Sequence, residues 1–302
     1  MNEDIITRIY CYVDDFCKAL ESYCNSRLVP ALGRKKPKWF PASRMSLSEV
    51  MTIIVLFHHS GYRCFKWYYK NHVCVFMQNY FPNPVSYNRF VELMSCALLP
   101  MLIFTQGFRR GKPTGISFID STSLKVCHNR RIYSHKVFKL IAARGKNSVG
   151  WFYGFKLHLV INDRGEVCSF CLTAGNVDDR NIDVIGSLCR ELRGKLFGDR
   201  GYISKALFEH LYKQGIQLIT RLKKNMKNVL MDTGDKILLR KRSVIESVIN
   251  FLKNTCLVEH SRHRSVSNFL VNLLSAISAY SFLPKKPSVS GKCKRKALPN
   301  IA

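Results

Sequence analysis

Two strands and the turn between them can be read directly from residues 152–173, which run Phe152-Tyr-Gly-Phe-Lys-Leu-His-Leu-Val-Ile-Asn-Asp-Arg-Gly-Glu-Val-Cys-Ser-Phe-Cys-Leu-Thr173. In the first ten residues, large apolar side chains alternate with Lys156 and His158, and this period of two predicts a β-strand with one buried face. The apolar members are Phe155, Leu157, Leu159 and Ile161. Residues 162–165 have the composition of a tight turn, so residues 167–173 are predicted to form the returning strand.

Further strands and helices are predicted on both sides of this hairpin. Short apolar runs at residues 116–119, 195–197 and 216–220 predict three more strands, while residues 179–193, 204–214 and the chain from 243 onward predict helices. The order strand-strand-strand-helix-strand-helix-strand-helix is typical of an α/β fold with helices packed on a mixed sheet. We expect this sheet and its helices to form one domain over residues 115–283.

The first part of the chain, residues 1–110, has a different pattern and is predicted to be a helical N-terminal domain. Ser46-Leu-Ser-Glu49 has the composition of a capping box and predicts the start of a helix at residues 50–59. Apolar spacing predicts two more helices, at residues 5–23 and 86–99. Residues 62–70 interleave basic and aromatic side chains, which suits DNA phosphate contact with stacking as well as a helix with a solvated basic face. A helix-turn-helix DNA reader over residues 46–98 is one interpretation of this part.

The charge of the chain points to a polyanionic partner. Its 302 residues carry 48 Lys and Arg against 20 Asp and Glu, a net charge of +28, and 47% are hydrophobic. Residues 1–110 hold 14 basic and 7 acidic residues, and residues 111–302 hold 34 and 13, so the excess belongs to the folded body. A fibrous or low-complexity protein and an ordinary acidic metabolic enzyme are excluded, and nucleic acid is the favoured partner over a membrane surface or a ribosome.

Several features indicate the location of the chain. The acidic, polar start Asn2-Glu3-Asp4 is unlike a signal peptide, so we expect reduced thiols and a cytoplasmic, nucleoid-associated protein.

Cys168 and Cys171 form a lone C-x-x-C, which we interpret as strand packing in preference to metal or redox use. Residues 265–284 carry no charge, but their polar residues recur at helical spacing, which predicts an amphipathic core helix and no membrane partner. Residues 284–302 are predicted to be a disordered basic tail.

Three acidic side chains are the candidates for chemistry. Asp120 and Asp199 each follow a predicted strand, at the ends where α/β sheets build their sites. Glu246 would lie on a helix together with Arg242 and Lys253, which share its face by spacing. The alternatives are a turn or helix cap for each aspartate and a surface ion-pair helix for Glu246.

Converging carboxylates would repel one another, and a divalent cation removes that conflict. Ligation by oxygen alone favours Mg²⁺ or Mn²⁺ over zinc. Two such ions could hold the attacking and leaving oxygens of a phosphodiester in line. Arg242 and Lys253 would then bind flanking phosphates.

Four segments together resemble a bacterial DDE transposase. They are Phe118-Ile-Asp-Ser-Thr122, Gly175-Asn-Val-Asp-Asp-Arg180, Gly198-Asp-Arg-Gly-Tyr202 and Arg242-x3-Glu246-x6-Lys253, and their wording is most similar to the insertion-sequence 982 family. The resemblance implies a ribonuclease H-like core in which Asp120, Asp199 and Glu246 are the catalytic, metal-binding triad. The related signature Tyr-x2-Arg-x3-Glu-x6-Lys fits from Arg242 onward, but Leu239 stands where tyrosine is expected.

The resemblance implies a transposase that binds double-stranded DNA at element ends, with residues 1–110 as the DNA-end-binding domain. It would cut that DNA and join the 3′-hydroxyls to target DNA with two Mg²⁺ or Mn²⁺ ions. A homodimer is expected, since two DNA ends must be held together. The alternatives are a nuclease of the same fold that does not join, and a non-catalytic DNA-binding protein derived from a transposase.

Other polar residues are expected to contact DNA or to have structural roles. Arg200, Lys223 and Lys224 are expected to contact DNA. The basic residues at 129–146, together with Lys227 and Lys236, would extend that DNA track. One of Asp178 and Asp179 is expected to cap a helix. His158 is expected to be a satisfied sheet histidine.

Overall fold

A six-stranded mixed sheet forms the middle of the chain in the computed structural model, which describes residues 3–28, 40–108, 110–221, 231–259 and 263–289. The strands are β1 (Ile116–Cys127), β2 (Ala143–Asn147), β3 (Gly150–Asn162), β4 (Val167–Ala174), β5 (Gly194–Gly198) and β6 (Ile216–Thr220). β1 is central and pairs with β3 in antiparallel and with β5 in parallel orientation. β4 and β2 are antiparallel to β3, and β6 is parallel to β5. Antiparallel strands on one side of β1 and parallel strands on the other confirm the ribonuclease H-like mixed sheet.

Helices cover both faces of the sheet. They are α5 (Ile182–Leu188), α6 (Lys205–Lys213), α7 (Thr233–Lys241), α8 (Ser243–Asn250) and α9 (Val266–Ser281). The alternating apolar residues of β3 pack with α8 and α9, and Leu157 and Leu159 among them are fully buried. Ile119 and Val160 point to the other face, where α5 and α6 cover them. The period of two in β3 therefore separates two hydrophobic layers.

The N-terminal part is helical, as predicted. It contains α1 (Glu3–Tyr23), α2 (Leu47–Phe57), α3 (Tyr87–Cys96) and α4 (Leu98–Ile103), with shorter helical turns at Cys24–Leu28, Phe65–Trp67, Tyr68–Val73, Cys74–Phe76 and Phe104–Phe108. The capping box at the start of α2 is present: the Ser46 hydroxyl accepts from the Glu49 amide at 3.2 Å, and the Glu49 carboxylate accepts from the Ser46 amide at 2.6 Å.

Helix α9 joins the two parts of the molecule. Val271, Leu274 and Ala279 belong to the N-terminal core, whereas Leu273 and Ile277 pack on the sheet. Its polar side chains meet polar partners, since the Ser275 hydroxyl lies 2.9 Å from His58 Nε2, the Ser278 hydroxyl 2.9 Å from Thr105 Oγ1, and Asn268 Oδ1 3.1 Å from the Ser95 hydroxyl. The uncharged segment is therefore a core helix. Three of its polar side chains bond to the N-terminal part, whereas the side-chain amide of buried Asn272 has no partner among the described residues.

No single helix within the described ranges is long and apolar enough to cross a membrane, although the bent pair Tyr87–Cys96 and Leu98–Gly107 meets that test by length and composition.

Several predicted elements differ from those observed. β1 does not end at Asp120 but continues to Cys127, because its backbone keeps pairing with β3 through the polar residues that follow. The helix predicted at 86–99 is interrupted at Ala97, since Pro100 has no amide to continue the ladder. The helix predicted at 179–193 is the shorter α5, whose cap is Asn181 and neither Asp178 nor Asp179.

The C-x-x-C cysteines and the start of the predicted tail both pack at the edges of this domain. Cys168 is fully buried on β4, and both Cys168 and Cys171 are free thiols, as expected of strand packing. Residues 284–289 lie against the turn after β3, where the Val289 amide donates to the Asp163 carbonyl at 2.9 Å. The rest of the predicted tail, residues 290–302, lies outside the described residues.

Candidate active site

The register of β1 and β5 places the two aspartates side by side at the end of their parallel ladder. Its last pair is Phe118 with Phe197, and Asp120 and Asp199 each lie two residues further along. Because side chains alternate, both aspartates belong to the face of Phe118 and Phe197, which is the face covered by α8. Asp199 is exposed, and its carboxylate accepts a 2.6 Å hydrogen bond from the Arg200 amide.

Asp120 is the more buried of the pair, with 21% of its side chain exposed. Burial raises its pKa above the ordinary value, Arg242 and the Ser121 amide lower it, and the negative charge of Asp199 raises it again. The two carboxylates are therefore close enough to repel each other, as expected for neighbours at one sheet edge.

Arg242 connects Asp120 to Glu246. It stands at the start of α8, which the buried side chains of Ile245 and Val248 hold against the sheet. One guanidinium nitrogen donates to Asp120 Oδ2 at 3.0 Å, and the other donates to Glu246 Oε1 at 2.7 Å. The predicted ion-pair spacing on this helix thus exists, but the arginine also reaches across to the strand.

A cavity of about 410 Å³ opens between β1 and the helix. Asp120, Glu246 and Lys253 all contribute to its wall. The Lys253 ammonium donates to the Ser123 carbonyl at 2.9 Å and pairs with the Glu259 carboxylate at 2.8 Å. Sequence reasoning missed Glu259, which stands 13 residues after Glu246 and matches no spacing that would single it out.

A second polar group lies on the opposite face of β1. The Ser121 hydroxyl donates to Asp179 Oδ1 at 2.9 Å, and Lys156 pairs with the same oxygen at 3.2 Å. Fully buried His158 has its Nε2 3.0 Å from the Thr173 hydroxyl, and burial lowers its pKa. Its Nδ1 has no hydrogen-bond partner among the described residues, so the predicted satisfied sheet histidine is satisfied at one ring nitrogen only. Asp179 therefore fixes the segment that carries Asp120 and is not a helix cap.

The Tyr202 hydroxyl is buried between these two groups. Burial raises its pKa well above the ordinary value, and the negative charges of Asp120 and Asp179 raise it further. The Ser121 side chain beside it lowers the pKa of Tyr202, but no hydrogen bond of normal geometry reaches the Tyr202 oxygen among the described residues.

The donor set fits a hard divalent cation in its chemistry, because Mg²⁺ and Mn²⁺ prefer carboxylate oxygens. In the described ranges, however, no three acidic, histidine or cysteine side chains are grouped so as to hold a metal ion. The guanidinium of Arg242 supplies the positive charge between Asp120 and Glu246 instead. The three carboxylates share one face of the sheet, but they do not converge directly on a common point.

The remaining predicted contacts are spread over the surface. Arg200 is exposed beside Asp199, and Lys236 is exposed on α7. Lys223, Lys224 and Lys227 lie outside the described residues. Leu239, at the position where the related signature has tyrosine, is buried in the core beneath α8.

The sheet order, with acidic residues at the edge of β1 and β5, is that of the ribonuclease H-like class of proteins. Within that class, the family model described as a transposase DDE domain matches residues 110–266, more than half of the chain. The chain therefore belongs to the DDE transposase family, whose members generally use divalent metal ions.

The chain is similar to a solved structure, the cryo-EM structure of the piggyBac transposase synaptic complex with hairpin DNA, with 11% identity, a TM-score of 0.44, and coverage of 93% of this chain and 72% of that chain. A search of curated proteins found no match to the sequence.

Proposed function

We propose that this protein is a DNA transposase of the kind encoded by insertion sequences, with Asp120, Asp199 and Glu246 as its catalytic carboxylates. The observation that carries the proposal is the placement of all three on one face of the sheet, with Asp120 and Glu246 in a single open cavity. Membership of the DDE transposase family and the net charge of +28 support DNA as the substrate. We further propose that the protein belongs to the insertion-sequence 982 family of these transposases.

The same three carboxylates would hold Mg²⁺ or Mn²⁺, two ions in the catalytic state, which requires them to come closer together than they lie in this structure. Bound there, the ions would activate a hydroxyl nucleophile and stabilise the departing 3′-oxygen of a phosphodiester. The chain's own residues have other tasks. Arg242 holds Asp120 and Glu246 in place through its two hydrogen bonds, and its positive charge balances their negative charges.

Basic residues would orient the DNA. Lys253 in the cavity wall and Arg200 next to Asp199 in sequence would bind flanking phosphates. Lys223 and Lys224, outside the described residues, would do the same. For Lys253 this requires exchange of its Glu259 partner for a phosphate. Element ends and target are both double-stranded DNA, and a homodimer would hold two ends together.

The test is strand cleavage and joining on DNA carrying the element ends, with Mg²⁺ present or removed by EDTA. Asp120→Asn keeps the size of the side chain and removes the carboxylate, so both cleavage and joining should fall by at least about 10²-fold, the range for losing a group that stabilises developing charge. Asp183→Asn is the matched control, because Asp183 is exposed on α5, away from the cavity, and should leave the activity unchanged.

The products distinguish this proposal from its alternatives. Joined DNA supports a transposase, whereas nicked DNA without joined products supports a nuclease of the same fold. DNA binding that persists without any metal-dependent cleavage supports a non-catalytic DNA-binding protein. Full activity of Asp120→Asn contradicts the assignment of the carboxylates.

A further inference from the structure

The hairpin of β2 and β3 carries an exposed tryptophan between two cations. Trp151 is 53% exposed and stands directly opposite Lys146 in the β2–β3 register. The Arg144 guanidinium carbon is 5.0 Å from the centre of the indole ring, and the Lys146 ammonium nitrogen is 5.7 Å from it. Neither cation forms an ion pair with an acidic side chain in the part of the chain that the structure describes.

The ring is held on a well-supported backbone. Asn147 closes the turn, because its side-chain oxygen accepts from the amides of Val149 and Gly150 at 3.0 Å each. The Asn147 side-chain amide also donates to the Ser123 hydroxyl on β1 at 3.2 Å, and the Trp151 carbonyl accepts from the Asn129 side chain at 2.8 Å. A large aromatic ring on a fixed backbone loses little conformational entropy when a flat ligand binds over it.

The hairpin also contacts the polar group on the face of β1 that lies opposite the active-site cavity. Gly145 packs so closely on the loop after β4 that a Cβ there would collide with the carbonyl oxygen of Gly175. Arg144, Trp151, Lys156 and Asp179 line a common cavity of about 430 Å³. Asp179 in turn accepts the hydrogen bond of Ser121, the neighbour of Asp120. The ring therefore shares a cavity with a residue that contacts the active-site strand.

We propose that Trp151 is a stacking platform for an unpaired DNA base, with Arg144 and Lys146 binding the phosphates on either side. This inference rests on the proposed function and extends it from double-stranded DNA to an unpaired strand of that DNA. Exposed indole rings beside cations suit this ligand, because every base offers a flat face and every nucleotide a charge. Bases inside a duplex are already stacked, so the platform discriminates in favour of unpaired nucleotides.

Fluorescence of the full-length protein tests this directly. The chain has three tryptophans, so Trp39→Phe with Trp67→Phe leaves Trp151 as the single reporter. Titration with a short oligothymidine should quench its emission, whereas a blunt duplex of equal length should not. Because Asp120→Asn in this background cannot cut DNA, the binding can be followed at equilibrium.

Affinity measurements provide the second arm. Trp151→Ala should weaken oligothymidine binding roughly 5- to 150-fold, the range for losing one stacked base, while Trp151→Phe should retain most of it. Tyr212→Ala is the matched control, since Tyr212 is a 65% exposed aromatic residue on α6 that stacks on Phe208. Arg144→Ala should weaken single-stranded and duplex binding alike.

The proposal is overturned if oligothymidine fails to quench Trp151, or if Trp151→Ala changes the affinity by less than twofold. Equal loss of duplex and single-stranded binding in Trp151→Ala also overturns it. Since Trp151→Ala could disturb the hairpin, the quenching of the natural ring decides by itself. A quench without any cleavage by the unsubstituted chain would contradict the proposed function and leave the platform standing, whereas cleavage without a quench would do the reverse.

Discussion

Removal of the Arg242 guanidinium should destabilise the protein chiefly through Asp120. In Arg242→Ala, the hydrogen bond from Arg242 to Asp120 is lost, and that carboxylate, 21% exposed, keeps its charge with only the Ser121 amide as a donor. A hydrogen bond to a charged, partly buried group contributes about 1.5–3 kcal/mol. The second pair, to the 56% exposed Glu246, is a surface pair one helical turn apart and contributes only about 0.3–0.5 kcal/mol. We therefore expect a loss of about 2–3 kcal/mol in the free energy of unfolding.

A double-mutant cycle separates these two contributions. Urea unfolding is measured for the unsubstituted chain, Arg242→Ala, Asp120→Asn and the double variant, and the coupling free energy should be about 1.5–2 kcal/mol. Arg89→Ala is the matched control, because Arg89 pairs with the exposed Glu92 at 2.7 Å and should cost at most about 0.5 kcal/mol. A coupling below about 0.5 kcal/mol would refute the view that Arg242 acts through Asp120.

Acidification gives an independent check with a definite sign. The pKa of Asp120 is raised above its ordinary value of 3.8 in the folded protein, and loss of Arg242 raises it further. A carboxyl group of this kind contributes stability below its ordinary pKa, and that stability is lost as the pH rises through the folded-state pKa. The penalty of Arg242→Ala should therefore be larger at pH 7 than at pH 4, and the opposite trend would contradict the assignment.

Two further substitutions test buried groups outside the ion pairs. Tyr202→Phe removes a buried hydroxyl that has no hydrogen-bond partner of normal geometry among the described residues. The free energy of unfolding, measured with urea, should therefore stay level or rise by about 1 kcal/mol. A loss above about 1 kcal/mol would show that the hydroxyl is satisfied. His58 is fully buried and its pKa is lowered from 6.5 to about 3 by burial, so stability is present above pH 6.5 and is lost as the pH falls. Between pH 7.5 and 5 this histidine should cost about 2 kcal/mol, a slope that His58→Gln should remove; an unchanged slope would show that His58 is not its source.

Local patterns in the sequence predict the elements that depend on local contacts. The alternation at residues 155–161 predicts β3 and the face it buries, and Ser46 with Glu49 predicts the start of α2. Such signals are reliable because a strand's buried face and a helix cap are decided within a few residues.

Elements that depend on distant partners were missed or shortened. The polar segment Ser121-Thr-Ser123 resembles a loop in sequence, yet it is strand because β3 lies beside it. β2 contains Arg144, Gly145 and Lys146 and has no apolar period, and only its pairing with β3 makes it a strand. Nothing within these segments records the neighbour that satisfies their backbone.

For the candidate site, the sequence predicts which residues take part, but it does not predict how their side chains are arranged. The scarcity of acidic residues made Asp120, Asp199 and Glu246 conspicuous, and the strand and helix positions placed them on one face. Their arrangement is set by the surplus of cations: Asp120 and Glu246 meet Arg242, Asp179 meets Lys156, and Glu259 meets Lys253. In a chain with 48 basic and 20 acidic residues, each of these carboxylates has a cation within reach, and a nearby opposite charge favours the ionised form. The basic residues that favour DNA binding therefore also pair with the proposed catalytic carboxylates, and bound DNA phosphates would compete with those carboxylates for Lys253 and Arg242.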